Sequence, residues 1–176
     1  MDKIIFGNLL LKTIFCCMAS DGHIDEREIK IIKSLCEKSP LFDKINLVKE
    51  INSLVTEINT KGKKFVQDYL RMLENIDLTE EETLTLIDFA LQTIKADEQV
   101  EYSEIKFFKI LRHRLKISND VILNVYPDIE MFLEEDIITS SLLEKITKKY
   151  LQEIELPQIQ SFKINDIFHD DSNEQR

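Results

Sequence analysis

Turn-forming residues are scarce in this chain. Its 176 residues include three glycines and three prolines. A β-rich fold of this length needs many more turns, so long helices joined by short loops are expected. Tryptophan is absent, and ten phenylalanines must supply most of the aromatic core. The cysteines, Cys16, Cys17 and Cys36, are odd in number and lack C-x-x-C spacing. They argue against a disulfide framework or a zinc ribbon and fit a reducing compartment, hence the cytoplasm. Cys16 and Cys17 are neighbours on a predicted helix and point in different directions, so both are expected to be small core residues. Clustered cations are also lacking. The net charge is −10, which makes nucleic acid a poor partner, because phosphate contacts need grouped Lys and Arg. Two short basic stretches exist, Lys61-Gly-Lys-Lys64 and Arg112-His-Arg114, and the second suits the C-terminal end of a helix. No apolar run is long enough to span a bilayer. No nucleophile elbow, phosphate loop or H-E-x-x-H occurs, so nothing points to an enzyme.

What is present is helical periodicity. Residues 3–20 carry Ile4, Ile5, Leu9, Leu10, Leu11, Ile14, Phe15 and Met18 in a wide apolar stripe, which predicts a largely buried first helix. The run superficially resembles a signal peptide, but Asn8 and Lys12 break it and no small-x-small cleavage site follows. A second helix is expected from Asp25 to about Lys38, ended by Ser39-Pro40. A third is expected over Leu41 to about Thr60, with Ile45 on its apolar face, ended by Gly62, and a fourth over Phe65 to Ile76. Thr79-Glu-Glu-Glu82 is a capping box opening a fifth, to about Ala96. A sixth spans Glu101 to about Lys116. Ser118 caps a seventh, which Pro127 interrupts or restarts, and residues 139–152 form a last long helix. The expected fold is all-α: a compact bundle of seven or eight helices, one domain over 1–152. Residues 153–176 are expected to form a polar, partly disordered extension.

The chain also repeats itself. Ala19-Ser-Asp21-Gly-His-Ile24-Asp25-Glu-Arg-Glu28-Ile29 returns, without a gap, as Lys95-Ala-Asp97-Glu-Gln-Val100-Glu101-Tyr-Ser-Glu104-Ile105. The same frame pairs Leu10 with Leu86, Lys30 with Lys106, Lys33 with Lys109 and Leu35 with Leu111. Two pseudo-symmetric helical hairpins, about 5–38 and 80–116, are therefore expected, each with an acidic corner.

Asp21, Asp25 and Glu28, with Asp97, Glu101 and Glu104, are the candidate metal ligands. Within each copy the second and third acids lie about one helical turn apart, so their carboxylates can converge on the corner. Hard cations such as Ca²⁺ or Mg²⁺ take several carboxylate and carbonyl oxygens. Without a cation, converging acids repel and raise one another's pKa. The competing reading makes every acid a helix terminus: Asp25 with Glu28 fits a capping box, and Asp21-Gly22 is a natural turn. Three features weigh against it. Glu101 is a poor N-cap, Glu98 replaces Gly22 in the second copy while Asp97 persists, and Asp21 lies too far ahead of the helix to cap it. Both readings stay open on the sequence. A standard EF-hand fails, because its first two ligand positions fall on Cys17 and Ala19, and on Thr93 and Lys95 in the second copy. Any site must recruit ligands from elsewhere, such as the other copy. A di-iron bundle fails for want of Glu-x-x-His. His23, His113 and His169 are scattered, and His23 reads as a surface residue.

An aliphatic helix ending in Met18-Ala-Ser-Asp21-Gly-His-Ile24-Asp25-Glu-Arg-Glu28, followed by an apolar helix and a second copy, resembles the TerB family of tellurite-resistance proteins. The same fold occurs in certain membrane-anchored J-domain co-chaperones. The resemblance covers about residues 5–135. It implies a two-repeat helical bundle whose acidic cluster binds divalent cations, carried by position onto the six acids above. It also implies a non-enzymatic role in tellurite or other stress resistance in bacteria, through protein partners at the inner membrane face. Glu98 departs from the family's usual glycine, which puts the second corner's geometry in doubt. No J-domain follows in this sequence, and residues 136–176 extend past the family core.

Overall fold

A computed structural model of the chain describes residues 1–21, 24, 26–96, 102–133 and 140–154; of these, the side chains of 21, 102, 131 and 140–144 lie outside the description. Every regular element among them is helical: α1 (Lys3–Met18), α2 (Glu26–Glu37), α3 (Leu47–Lys61), α4 (Lys63–Asn75), α5 (Glu80–Ile94), α6 (Tyr102–Arg114), α7 (Asn119–Val125), α8 (Glu130–Leu133) and α9 (Ser140–Glu153). Single 3-10 turns stand at Ala19–Asp21 and Pro127–Ile129. The second of these divides the expected seventh helix into α7 and α8, since proline fits the first turn of a helix but not its interior.

The bundle is built around α1. From Phe6 to Ala19 nearly every side chain is buried, including Leu10, Ile14, Phe15, Cys16 and Cys17, which are fully enclosed. Its main neighbour is α5, which buries Leu86, Ile87, Ala90 and Ile94. Around this pair, α2 contacts both α1 and α5, and α6 contacts both α5 and α1. A further helix pair, α3 and α4, closes one side, with α3 on α1 and α4 on α6. Edge-to-face rings lock the layers: Phe15 on Phe65 at 6.1 Å, Phe42 on Phe89 at 5.5 Å, and Phe108 on Phe132 at 5.7 Å.

Helix boundaries follow local chemistry. Asp2 caps α1 through the Ile4 and Ile5 amides. Thr79 and Glu82 close a reciprocal capping box on α5, at 3.2 and 2.9 Å. Ser118 caps α7, and Gly62, at φ 53°, separates α3 from α4. One boundary differs from expectation: residues 41–46 are turns, and α3 begins at Leu47. Asn46 accepts the Lys49 amide at 3.0 Å and so caps a helix that starts after it. The preceding turns let Phe42 reach Phe89 and lay Ile45 against α1 at Gly7. A Cβ at Gly7 would stand 2.5 Å from Ile45 Cδ1 and 2.7 Å from the Leu41 carbonyl oxygen. Only glycine permits that approach.

Candidate functional site

The first acidic corner grows out of the end of α1. The Ala19 amide donates to Cys17 and Phe15 carbonyls, tightening the last turn. Ser20 is buried and its hydroxyl donates to the Cys17 carbonyl at 2.6 Å. Asp21 closes this 3-10 turn. Ile24 is buried and anchors the way into α2. The turn packs against α6, the helix of the second copy, and the Tyr150 hydroxyl of α9 donates to the Ser20 carbonyl at 3.5 Å. Tyr150 in turn lies against Phe107 of α6. Three elements distant in sequence thus meet at the first corner.

The second corner starts from the same local pattern. The amide of Lys95 donates to the Leu91 and Thr93 carbonyls, and the Thr93 hydroxyl is buried and donates to the Phe89 carbonyl at 2.7 Å. In the repeat frame Thr93 is the counterpart of Cys17.

Of the six candidate acids, Glu28 and Glu104 have described side chains. Each is half-buried in the first turn of its helix, α2 or α6, and each is engaged by other groups. That position suits the positive end of the helix dipole. Asp21 is placed by its backbone alone, and Asp25, Asp97 and Glu101 lie outside the described residues, as do His23 and His169. Glu104 reaches across the copies electrostatically. Burial holds the Cys17 thiol far above its ordinary value, and the charges of Cys16 and Glu104 add to the effect. The helix that carries Glu104 in its first turn, α6, is also the one that packs against the Ala19–Asp21 turn. Among the described residues no three His, Cys, Asp or Glu side chains gather as metal ligands.

The basic stretches make contacts within the bundle. Arg112, His113 and Arg114 fill the last turn of α6, where positive charge is favoured. Arg114 pairs with Glu74 of α4. Lys61 pairs with Glu57 at 2.9 Å, and Lys63 donates to the Gln152 carbonyl at 2.9 Å, tying α4 to α9.

Two features escaped sequence reasoning. Lys33, which the repeat frame pairs with Lys109, is buried, with Glu37 at 4.0 Å. Its recurrence in both copies did not single it out, because Lys30, which is exposed, recurs as Lys106 in the same frame. The second is an open cavity of about 480 Å³ between α4, α6 and α9. Its lining comes from three stretches far apart in the chain, and no local pattern marks it.

Among the described residues no helix is long and apolar enough to cross a membrane. No family model, no curated protein and no solved structure matches this chain.

Proposed function

We propose that the two acidic corners together take up a divalent cation, Ca²⁺ or Mg²⁺, and that the protein is a non-enzymatic, TerB-like accessory factor acting through protein partners. The observation that carries this reading is the contact between the Ala19–Asp21 turn and α6, the helix whose first turn holds Glu104. A lone corner offers too few oxygens for a hard cation, and a neighbouring copy supplies the remainder. The exchange of neighbours, α1 with α6 and α2 with α5, supports a pseudo-twofold relation between the hairpins. The cytoplasm, bacterial stress or tellurite resistance, and partners at the inner membrane face belong to the same proposal and rest on the family resemblance.

A second reading has its own support. Glu28 and Glu104 stand in first helical turns, where the backbone dipole alone rewards a carboxylate. On that reading the chain is a structural interaction module and its acids are helix caps.

Thermal melts separate the two. Chelator-treated protein is titrated with Ca²⁺, Mg²⁺, Mn²⁺ and Zn²⁺ beside an Asp21→Ala/Asp97→Ala variant. A cation bound only by the folded state at a hundredfold excess over Kd adds about 2.7 kcal/mol. The cation reading expects a saturable rise in melting temperature that the variant lacks. A melting temperature indifferent to all four ions assigns the acids to capping.

A further inference from the structure

We propose that the cavity between α4 and α9 is a binding site for a small organic phosphate. At about 480 Å³ it falls within the range of small-molecule sites, roughly 300–1,000 Å³. Leu70 and Leu151, both buried, give it an apolar floor. The charged residues that line it run against the character of the chain. The protein as a whole carries 33 acids and 23 Lys and Arg, yet among the described lining residues Arg71, Arg114 and Lys148 meet one carboxylate, Glu74, an excess of two positive charges within the lining. The three cations come from three helices, so sequence proximity does not explain their meeting.

Their states differ in a useful way. Arg114 is fixed: its side chain is only 17% exposed, it is paired with Glu74, and it donates to the Thr147 hydroxyl at 3.4 Å. Arg71 and Lys148 are exposed, one on each wall, and Arg71 stands at a loose 3.9 Å from Asp68 of its own helix. A fixed guanidinium thus stands beside two adaptable cations above apolar carbon. Guanidinium matches the oxygens of a phosphoryl group in two-point contact, and lysine adds a point charge. A doubly charged phosphate monoester balances the excess of two, and an apolar body of a few carbons covers Leu70 and Leu151. A monocarboxylate satisfies half of that charge.

The test titrates the full chain with phenyl phosphate, inorganic phosphate and benzoate by isothermal calorimetry. Phenyl phosphate should bind saturably, about tenfold more tightly than either of the other two, as expected for one added charge-assisted or apolar contact. The R71Q/K148Q variant should bind phenyl phosphate about tenfold more weakly or worse. It should melt at the same temperature as the parent without ligand, because both side chains are exposed. No saturable heat with phenyl phosphate overturns the proposal, as does undiminished binding by a variant that melts normally. Benzoate binding as tightly overturns the phosphate assignment, and inorganic phosphate binding as tightly overturns the organic body. None of these outcomes depends on the acidic corners.

Discussion

The hydroxyl of Tyr69 donates to the Thr13 hydroxyl at 2.8 Å, and the Thr13 hydroxyl donates in turn to the Leu9 carbonyl at 2.9 Å. Both side chains are buried, so the two replacements differ in cost. Tyr69→Phe removes one hydrogen bond and should cost about 1 kcal/mol. Thr13→Val leaves the phenol buried without its acceptor and should cost more, about 1–3 kcal/mol. Urea unfolding of the two variants checks the order. The thiols make a pH prediction at the same scale. Burial, with a contribution from Glu37, pushes Cys36 up to about 12, and burial pushes Cys16 and Cys17 higher still. Below the ordinary thiol value, about 8.5, both folded and unfolded chains hold these protons and stability does not depend on them. Above it the unfolded chain releases them while the folded chain keeps them, so stability falls as pH rises, by up to about 1.4 kcal/mol per pH unit for each thiol. The decline from Cys36 ends near pH 12. Unfolding free energies between about pH 7 and pH 10 should fall less steeply in Cys36→Ala than in the parent.

Helix ends and seams set the next scale. Thr79→Ala breaks the capping box of α5 and should cost about 1 kcal/mol, read as a lower melting temperature. Gly7→Ala tests the seam between α1 and the 41–45 turns. Alanine is the better helix former by about 1 kcal/mol, so an isolated helix would gain. Here the added methyl meets a backbone carbonyl at 2.7 Å, which no rotamer change relieves. The variant should lose stability, by about 1–3 kcal/mol net. These two positions also show what the sequence disclosed. The capping box was legible because hydroxyl and acid lie three residues apart on one chain segment. Pro127 and Gly62 were legible because each restricts or frees its own backbone. The turn at 41–46 was not: its apolar residues read equally well at helical period, and the seam they form is against a glycine more than thirty residues upstream. At the candidate site the repeat itself was legible, and its acids could be named. That the first corner would pack on α6 and under Tyr150 was not, because those contacts close between residues more than eighty positions apart.

For the molecule as a whole, a net charge of −10 makes self-repulsion a general cost of the compact state. Raising monovalent salt from about 0.01 M to 0.15 M shortens the screening length from about 30 Å to 8 Å and should raise the melting temperature smoothly without saturating at a stoichiometric point. A divalent ion acting at the corners should do more than monovalent salt of equal ionic strength. A rise that sodium chloride reproduces in full at matched ionic strength would reduce the divalent effect to screening.

The burial of α1 on every side also sets how water reaches it. Its central amides, from Leu9 to Cys17, are walled off by neighbouring helices, so no small opening of one face exposes them. Deuterium must enter through disassembly of the entire bundle. The exchange rate of those few amides is therefore a built-in gauge of global unfolding, readable under native conditions. Amides in the outer helices report only the loosening of their own segment.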